Sequence, residues 1–392
     1  MMRPNAIDLR VDQLSAHDLL THSAAVLVDP ERQIAAQRLV HWFLPGWFVS
    51  IVFSAIALAY FWQSGGAARV RDLLRRRVAN EWLLRFYFGC VLGGIVRAAE
   101  LIPQFYMYRV ERLMSLTDQL VRAWALDWLS STIATMIVIG IVTAIVLSLA
   151  ARTHQWYIYT IAGIFAACFF FAYIAPFIAA PAFDQIVPPP LAAQRIARQV
   201  ETSAGLQVPL VEQVRKRTHL GAAYVIGFGS TERIVLGDAV FAVAGPQELR
   251  YVIARQLGYA KDDATIKIAL TDALLLILSV AIAVAIADRF PFRRDDDPLA
   301  RLSLVGTFLA GLYLIAVPVD NAVLRAIDAN ADRYALSLGV DRAAVVRSVI
   351  RDTDQRLVEV CPDILARAFM QRTIDASVTV AAANGVPAAC PP

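Results

Sequence analysis

The chain has 392 residues, 58% of them hydrophobic and 18% charged. Soluble domains run at roughly 45–50% apolar and about 25% charged, and here the apolar excess comes in blocks, which excludes an ordinary soluble enzyme. The net charge of +4, mostly Arg and with no interleaved basic-aromatic platform, excludes a nucleic-acid partner and suits loops at a lipid surface.

Residues 1–40 form a polar N-terminal segment. Acids run throughout "IDLRVDQLSAHDLLTHSAAVLVDPERQ", which is not the pattern of a cleavable signal peptide. Residues 41–180 hold four stretches apolar enough to cross a bilayer, near 41–62, 82–107, 126–150 and 156–180, each close to the ~20 residues a span needs. The second carries Arg85, Arg97 and Glu100. Intramembrane charge faces a protein interior or an interface, so Arg85 is expected to snorkel. Arg97 and Glu100, at i and i+3, are expected to neutralise each other.

Residues 181–265 are an extramembrane domain. After the proline run, "LAAQRIARQVETSAG" has helical spacing and a glycine stop. "VPLVEQVRK", "AAYVIGFG" and "RIVLGDAV" read as short strands with turn residues between them. Gly245-Pro246 opens a further helix, "PQELRYVIARQLGYAKDD", whose early Glu248 suits the helix dipole. Two more spans follow within 266–324, near 266–287 and 302–324. In the C-terminal part, 325–392, two helices are expected to divide at Gly339-Val340, followed by an Ala- and Pro-rich tail with no clear period. The fold class is mainly α: a polytopic, multi-pass integral membrane protein with a small α+β domain at one face.

The stretch "YVIARQLGYAKDDATIK" has the frame of a zinc-protease helix. A site of that type needs two imidazoles one helical turn apart, a Glu beside the first as general base, and a third ligand from a later helix. The box that should read H-E-L-G-H reads Arg255-Gln256-Leu257-Gly258-Tyr259, and the five histidines, His17, His22, His41, His154 and His219, all lie elsewhere. His17 and His22 read as solvated. Ser230, Thr231 or Cys361 as a substitute nucleophile has no His or Lys partner in the sequence. Cys90, Cys168, Cys361 and Cys390 contain no C-x-x-C pair, which argues against a structural zinc site. Cys361 and Cys390 can pair only where the C-terminal part meets an oxidising compartment.

Several segments, in order over roughly residues 100–340, resemble the type I CAAX prenyl endopeptidases, multi-span zinc metalloproteases that cut isoprenylated C-terminal tails. They are "YRVERLMSLTDQLVRAWALDWLSS" (108–131), "YIAPFIAAPAFDQIVPPPL" (173–191), "AAYVIGFGSTERIVLGDAVF" (222–241), "PQELRYVIARQLGYAKDDATIK" and "NAVLRAIDANADRYALSLG" (321–339). The resemblance implies spans around an interior chamber, with the metallopeptidase-like domain formed by 181–265 and completed by 325–392. It also implies a domain on the cytoplasmic face. The Arg-dense loops "SGGAARVRDLLRRRVAN" and "DRFPFRRDDDPLAR" imply the opposite face, and the expectation follows the family.

Every departure from the family pattern falls on its chemistry. The two His-ligand positions hold Arg255 and Tyr259, the general-base position holds Gln256, and the third-ligand Glu position holds Asp328. Asp332 keeps the family's orienting acid. Ala222 or Ala223 stands for the edge-strand Asn, and the late His-Pro pair is missing from "FMQRTIDASVTV". The resemblance therefore implies a zinc-free pseudo-peptidase without catalytic residues, whose partners are the bilayer and a hydrophobic peptide, a lipid or a protein. An active metalloendopeptidase with non-standard ligands and a structural subunit of a membrane complex stand as alternatives. The positions 255, 328 and 332 are expected to form a charge cluster, with Arg255 bridging the acids.

Overall fold

The computed structural model describes residues 9–183, 185–214, 222–289, 297–387 and Cys390. His219 and part of the second Arg-dense loop, both discussed above, lie outside these residues. Among the described residues six helices are long and apolar enough to cross a membrane. They are named here with the elements that join them: α1 (Pro30–Gln63), α2 (Gly66–Arg77), α3 (Glu81–Leu113), α4 (Val121–Arg152) and α5 (Trp156–Phe183), all ahead of the sheet.

The extramembrane elements are β1 (Gln185–Val187), α6 (Leu191–Ala204), β2 (Leu210–Val214), β3 (Ala223–Ile226), β4 (Arg233–Gly237) and α7 (Pro246–Lys261). The last two long helices are α8 (Ala264–Arg289) and α9 (Pro298–Ser337), and α10 (Arg342–Arg356) and α11 (Ala376–Asn384) close the chain.

In the membrane bundle the helices expose Ile56, Val138 and Leu278 outward, as lipid-facing surfaces do. The α3–α4 contact is made where two glycines meet. A β-carbon on Gly89 would lie 2.8 Å from the Gly140 Cα, so both positions must stay bare for the backbones to approach. The charges of α3 are satisfied inside the protein. Arg97 Nη1 donates to Glu100 Oε2 at 2.8 Å, as its spacing predicts, and Gln104 donates to the same oxygen at 2.9 Å. Arg85, at the start of α3, donates from Nη1 to the Ser148 hydroxyl of α4 at 2.9 Å and lies 3.8 Å from Glu81.

The sheet has the order β1-β2-β4-β3, with β2 and β4 parallel and the outer pairs antiparallel. Each strand is at most five residues long, so the sheet needs a covering layer to bury its apolar side chains. α7 supplies it: Leu249, Tyr251, Ile253 and Leu257 join Ile234 and Leu236 of β4 and Val345, Val346 and Ile350 of α10 in one core. α6 ends as expected at Gly205, in the left-handed region.

Three sequence expectations change. The N-terminal segment is polar in composition but has one apolar face, and Leu9, Val11, Leu19 and Leu27 are buried in the domain core while His17 and His22 stay exposed. Its link to α10 is polar: both oxygens of buried Asp354 accept the Asp29 N–H, at 3.2 and 3.3 Å, and Arg32 donates to the Asp354 carbonyl at 3.0 Å. Burial pushes the Asp354 carboxyl up to about 7, despite the stabilising Asp29 amide. Second, the helix carrying Asp328 is not separate from the last span. α9 runs unbroken to Ser337, because nothing between residues 320 and 330 interrupts the backbone ladder where the apolar run stops. The break at Gly339 is where it was expected, with φ of 70°. Third, the tail without a period contains α11, which starts after Asp375 and stops at left-handed Gly385. At nine residues it is too short to show a period, yet it buries Ala376, Val380 and Ala383.

Candidate functional site

α7 and α9 cross at the box "RQLGY". α7 is entered through Gly245 as N-cap and Pro246 in the first turn, where a missing N–H costs nothing. Glu248 reaches back to accept the Gly245 N–H at 3.3 Å and also pairs with Arg351, which holds Asp12 of the N-terminal segment with its other nitrogens. That ionic knot fixes the start of the helix. Further along, α7 lies against α9 at Gly258, where no side chain fits between it and the Ala331 backbone.

The crossing brings Arg255, Asp328 and Asp332 together. The Arg255 Nε donates to Asp332 Oδ1 at 2.5 Å, and its Nη2 donates to Asp328 Oδ1. Tyr259 donates its hydroxyl to the same Asp328 oxygen, and its ring lies 5.7 Å from the guanidinium carbon. The acids are deeply buried, at 1% and 6% side-chain exposure, against 22% for Arg255, so the cation reaches the acids from the cavity side. The expectation that Arg255 bridges the two acids agrees with this geometry.

Sequence reasoning missed the other partners. Tyr251 Oη donates to Asp332 Oδ1 at 2.9 Å, Thr379 Oγ1 donates to Asp332 Oδ2 at 2.6 Å, and the Ile374 N–H donates to Asp328 Oδ2 at 2.7 Å. The Tyr251 signal was available in principle, since it lies one helical turn before Arg255 on the same face. Thr379 and Ile374 arrive from the chain's end and leave no local trace.

Burial opposes charge on Arg255, but the Asp328 and Asp332 carboxylates outweigh it and hold the guanidinium well above its ordinary value. Burial, then the neighbouring Asp332, pushes the Tyr251 phenol well above its usual range, and burial does the same for Tyr259. Both phenols are thus neutral donors, and the cluster is a fixed cation with acids and donors disposed around it.

A cavity of about 540 Å³ opens beside this cluster. Leu39, Val40 and Phe43 line it from the start of the first span, Val252 and Gln256 from α7, and Met370 and Gln371 from the C-terminal part. Gln256, 1% exposed, and Gln371, 7% exposed, each have an amide nitrogen and oxygen with no hydrogen-bond partner among the described residues. Ser230, weighed as a nucleophile, instead meets the Tyr173 hydroxyl at 3.0 Å, and Thr231 bonds the Phe228 backbone. Cys361 is bonded to Cys390.

A multi-span bundle carrying a small domain, with a helix crossing of this kind beneath a short mixed sheet, defines a membrane metallopeptidase-like fold. Residues 46–185 match the family described as CAAX prenyl protease N-terminal, five membrane helices, and residues 190–371 match peptidase family M48. The chain belongs to the M48 peptidase family, on its CAAX prenyl protease branch. It is 24% identical over 325 residues to the "Uncharacterized metalloprotease YhfN" of Bacillus subtilis (strain 168), covering 78% of this chain and 74% of that protein. It shares its fold with S. mikatae Ste24p at a TM-score of 0.75, with 16% identity over 94% of this chain and 93% of that one.

The zinc that this family implies does not fit the residues present. Guanidinium offers donors only and repels a dication, and Nη2 of Arg255 is already engaged with the acid that would serve as third ligand. Among the described residues no three of His, Cys, Asp and Glu gather as a metal site. The amide of Gln256 has no basicity with which to take a proton from water.

Proposed function

We propose that this membrane M48 homologue is a pseudo-peptidase: it binds a hydrophobic peptide, a lipid or a partner protein in its cavity and does not cut it. The observation that carries this reading is Arg255 seated on Asp328 and Asp332, at the positions where the family resemblance puts a metal and its acids. A cation fixed by two buried carboxylates takes the electrostatic place of a metal, and removing it would leave two acids buried without a countercharge.

The unpartnered amides of Gln256 and Gln371 favour a ligand-binding role over a purely structural one. Each offers N–H donors and a carbonyl acceptor to a cavity whose wall mixes apolar residues such as Leu39 and Phe43 with charged ones such as Glu111 and Arg356, which suits a ligand with an apolar body and a polar group.

The test is elemental analysis of the gently purified protein together with a prenyl-peptide cleavage assay and mass spectrometry of co-purifying molecules. The expected results are zinc well below one per chain, cleavage no faster than a membrane blank, and a recurrent hydrophobic ligand. Near-stoichiometric zinc that survives dialysis, with cleavage, would return the chain to the active peptidases. A clean, ligand-free preparation would favour the structural subunit.

A further inference from the structure

We infer that the extramembrane domain and its cavity lie on the oxidising, non-cytoplasmic side of the membrane, the reverse of the face that the family resemblance implies. Two independent features lead there. The first is the sorting of the cysteines. Cys361 and Cys390, both in the domain, form a disulfide between Cα atoms 5.4 Å apart across a sequence separation of 29 residues. Cys90 and Cys168, both in membrane helices, are free thiols. A structural disulfide of this kind persists in an oxidising compartment and is reduced in the cytosol.

The second feature is charge at the opposite end of the bundle. Six spans put α2 and the α8–α9 connection together, away from the domain. α2 carries Arg69, Arg71, Arg75, Arg76 and Arg77 against the single acid Asp72. The α8–α9 connection adds Arg289, Arg293, Arg294 and Arg301 in sequence, beside Asp288, Asp295, Asp296 and Asp297, acids that count for little in the orientation bias. Arg75 reaches across to Asp297 at 2.8 Å, which holds α2 against the start of α9 at this end of the bundle. On the domain side, the α3–α4 connection is short enough to count and carries only Arg109, Arg112 and Arg122. Short Lys/Arg-rich loops stay in the cytoplasm and suit its anionic leaflet, whereas a long domain crosses largely regardless of its charge. The disulfide and the arginines therefore choose the same orientation, by chemistry that has nothing in common. Whatever enters the cavity beside Phe43 and Gln256 reaches it from the non-cytoplasmic side.

The experiment expresses the full chain in bacteria in a Cys90→Ala, Cys168→Ala background, with Ser203→Cys on the exposed end of α6 or Ala79→Cys just beyond α2. Spheroplasts are treated with a membrane-impermeant maleimide before or after permeabilisation. Separately, cells with the unaltered chain are acid-quenched, and Cys361 and Cys390 are alkylated with and without reductant and read by mass spectrometry. Ser203→Cys should label before permeabilisation and Ala79→Cys only after it, and Cys361 and Cys390 should resist alkylation until reduced. Labelling of Ala79→Cys from outside, or free Cys361 and Cys390 thiols in quenched cells, overturns the inference. The alkylation arm uses the unaltered chain, so a poorly folding cysteine variant does not block the test.

Discussion

Gly258 and Ala331 meet backbone to backbone: a β-carbon on Gly258 would lie 2.9 Å from both the Cα and the carbonyl oxygen of Ala331. The whole site hangs from this contact, because the α7–α9 separation decides whether Arg255 spans both acids. Gly258→Ala should cost about 1–3 kcal/mol, the usual range for overpacking. Thermal unfolding in detergent is the measurement, and an unchanged Tm would mean that the helices separate freely.

Arg255→Ala leaves Asp328 and Asp332 buried, close together and without their cation. Removing one member of a buried ion cluster costs about 3–5 kcal/mol, so the Tm should fall clearly further than for Gly258→Ala. Arg255→Lys should fall between, since an ammonium cannot fork to both acids as Nε and Nη2 do. Equal Tm values for the Ala and Lys variants would show that the fork geometry contributes nothing.

The Arg255→His substitution alone should not recruit zinc, because Tyr259 still stands where the second imidazole is needed and the ligand set stays incomplete. The combined Arg255→His, Gln256→Glu, Tyr259→His, Asp328→Glu variant should bind it, because the crossing that positions them is kept by Gly258. Metal content by elemental analysis distinguishes the two. Zinc on the single variant, or none on the fourfold one, contradicts the assignment of these positions.

Asp354 gives the domain an acid-side pH dependence. Its folded pKa is raised to about 7 from 3.8, so the folded state holds a proton that the unfolded chain releases. Its contribution is therefore fully present below about pH 4 and lost as pH rises towards 7. Asp354→Asn keeps a carbonyl to accept the Asp29 N–H and removes the titration. Denaturant midpoints from pH 4 to 7 should be flatter for Asp354→Asn than for the unaltered chain, and parallel curves would sink this reading.

The spans were legible because about 20 apolar residues in a row have few other uses. α6 and α7 were legible from their caps: Gly205 as a stop, and Gly245-Pro246 with Glu248 as a start. The Arg255 bridge could be read from residue types alone, since two acids placed together demand a cation. What stayed hidden came from distance along the chain. Thr379 and Ile374 reach the acids across more than 40 intervening residues, and their own sequence carries no sign of it. The N-terminal segment misled through composition: Asp12 and Asp18 serve the first turns of short helices, while Leu9, Val11, Leu19, Ala24, Leu27 and Val28 point inward.

That inward face has a consequence for how the molecule is made. Leu9, Val11, Leu19 and Leu27 leave the ribosome ahead of the spans described, and their core partners Val345, Val346, Ile350 and Val380 leave it only after those spans. Until then the first segment has apolar surface and nothing to cover it, a state that invites aggregation unless a chaperone or the membrane surface holds it. Asp12 waits in the same way for Arg351. Removing either the segment 9–28 or the α10–α11 region unfastens the same clasp, so this core closes only when both are present.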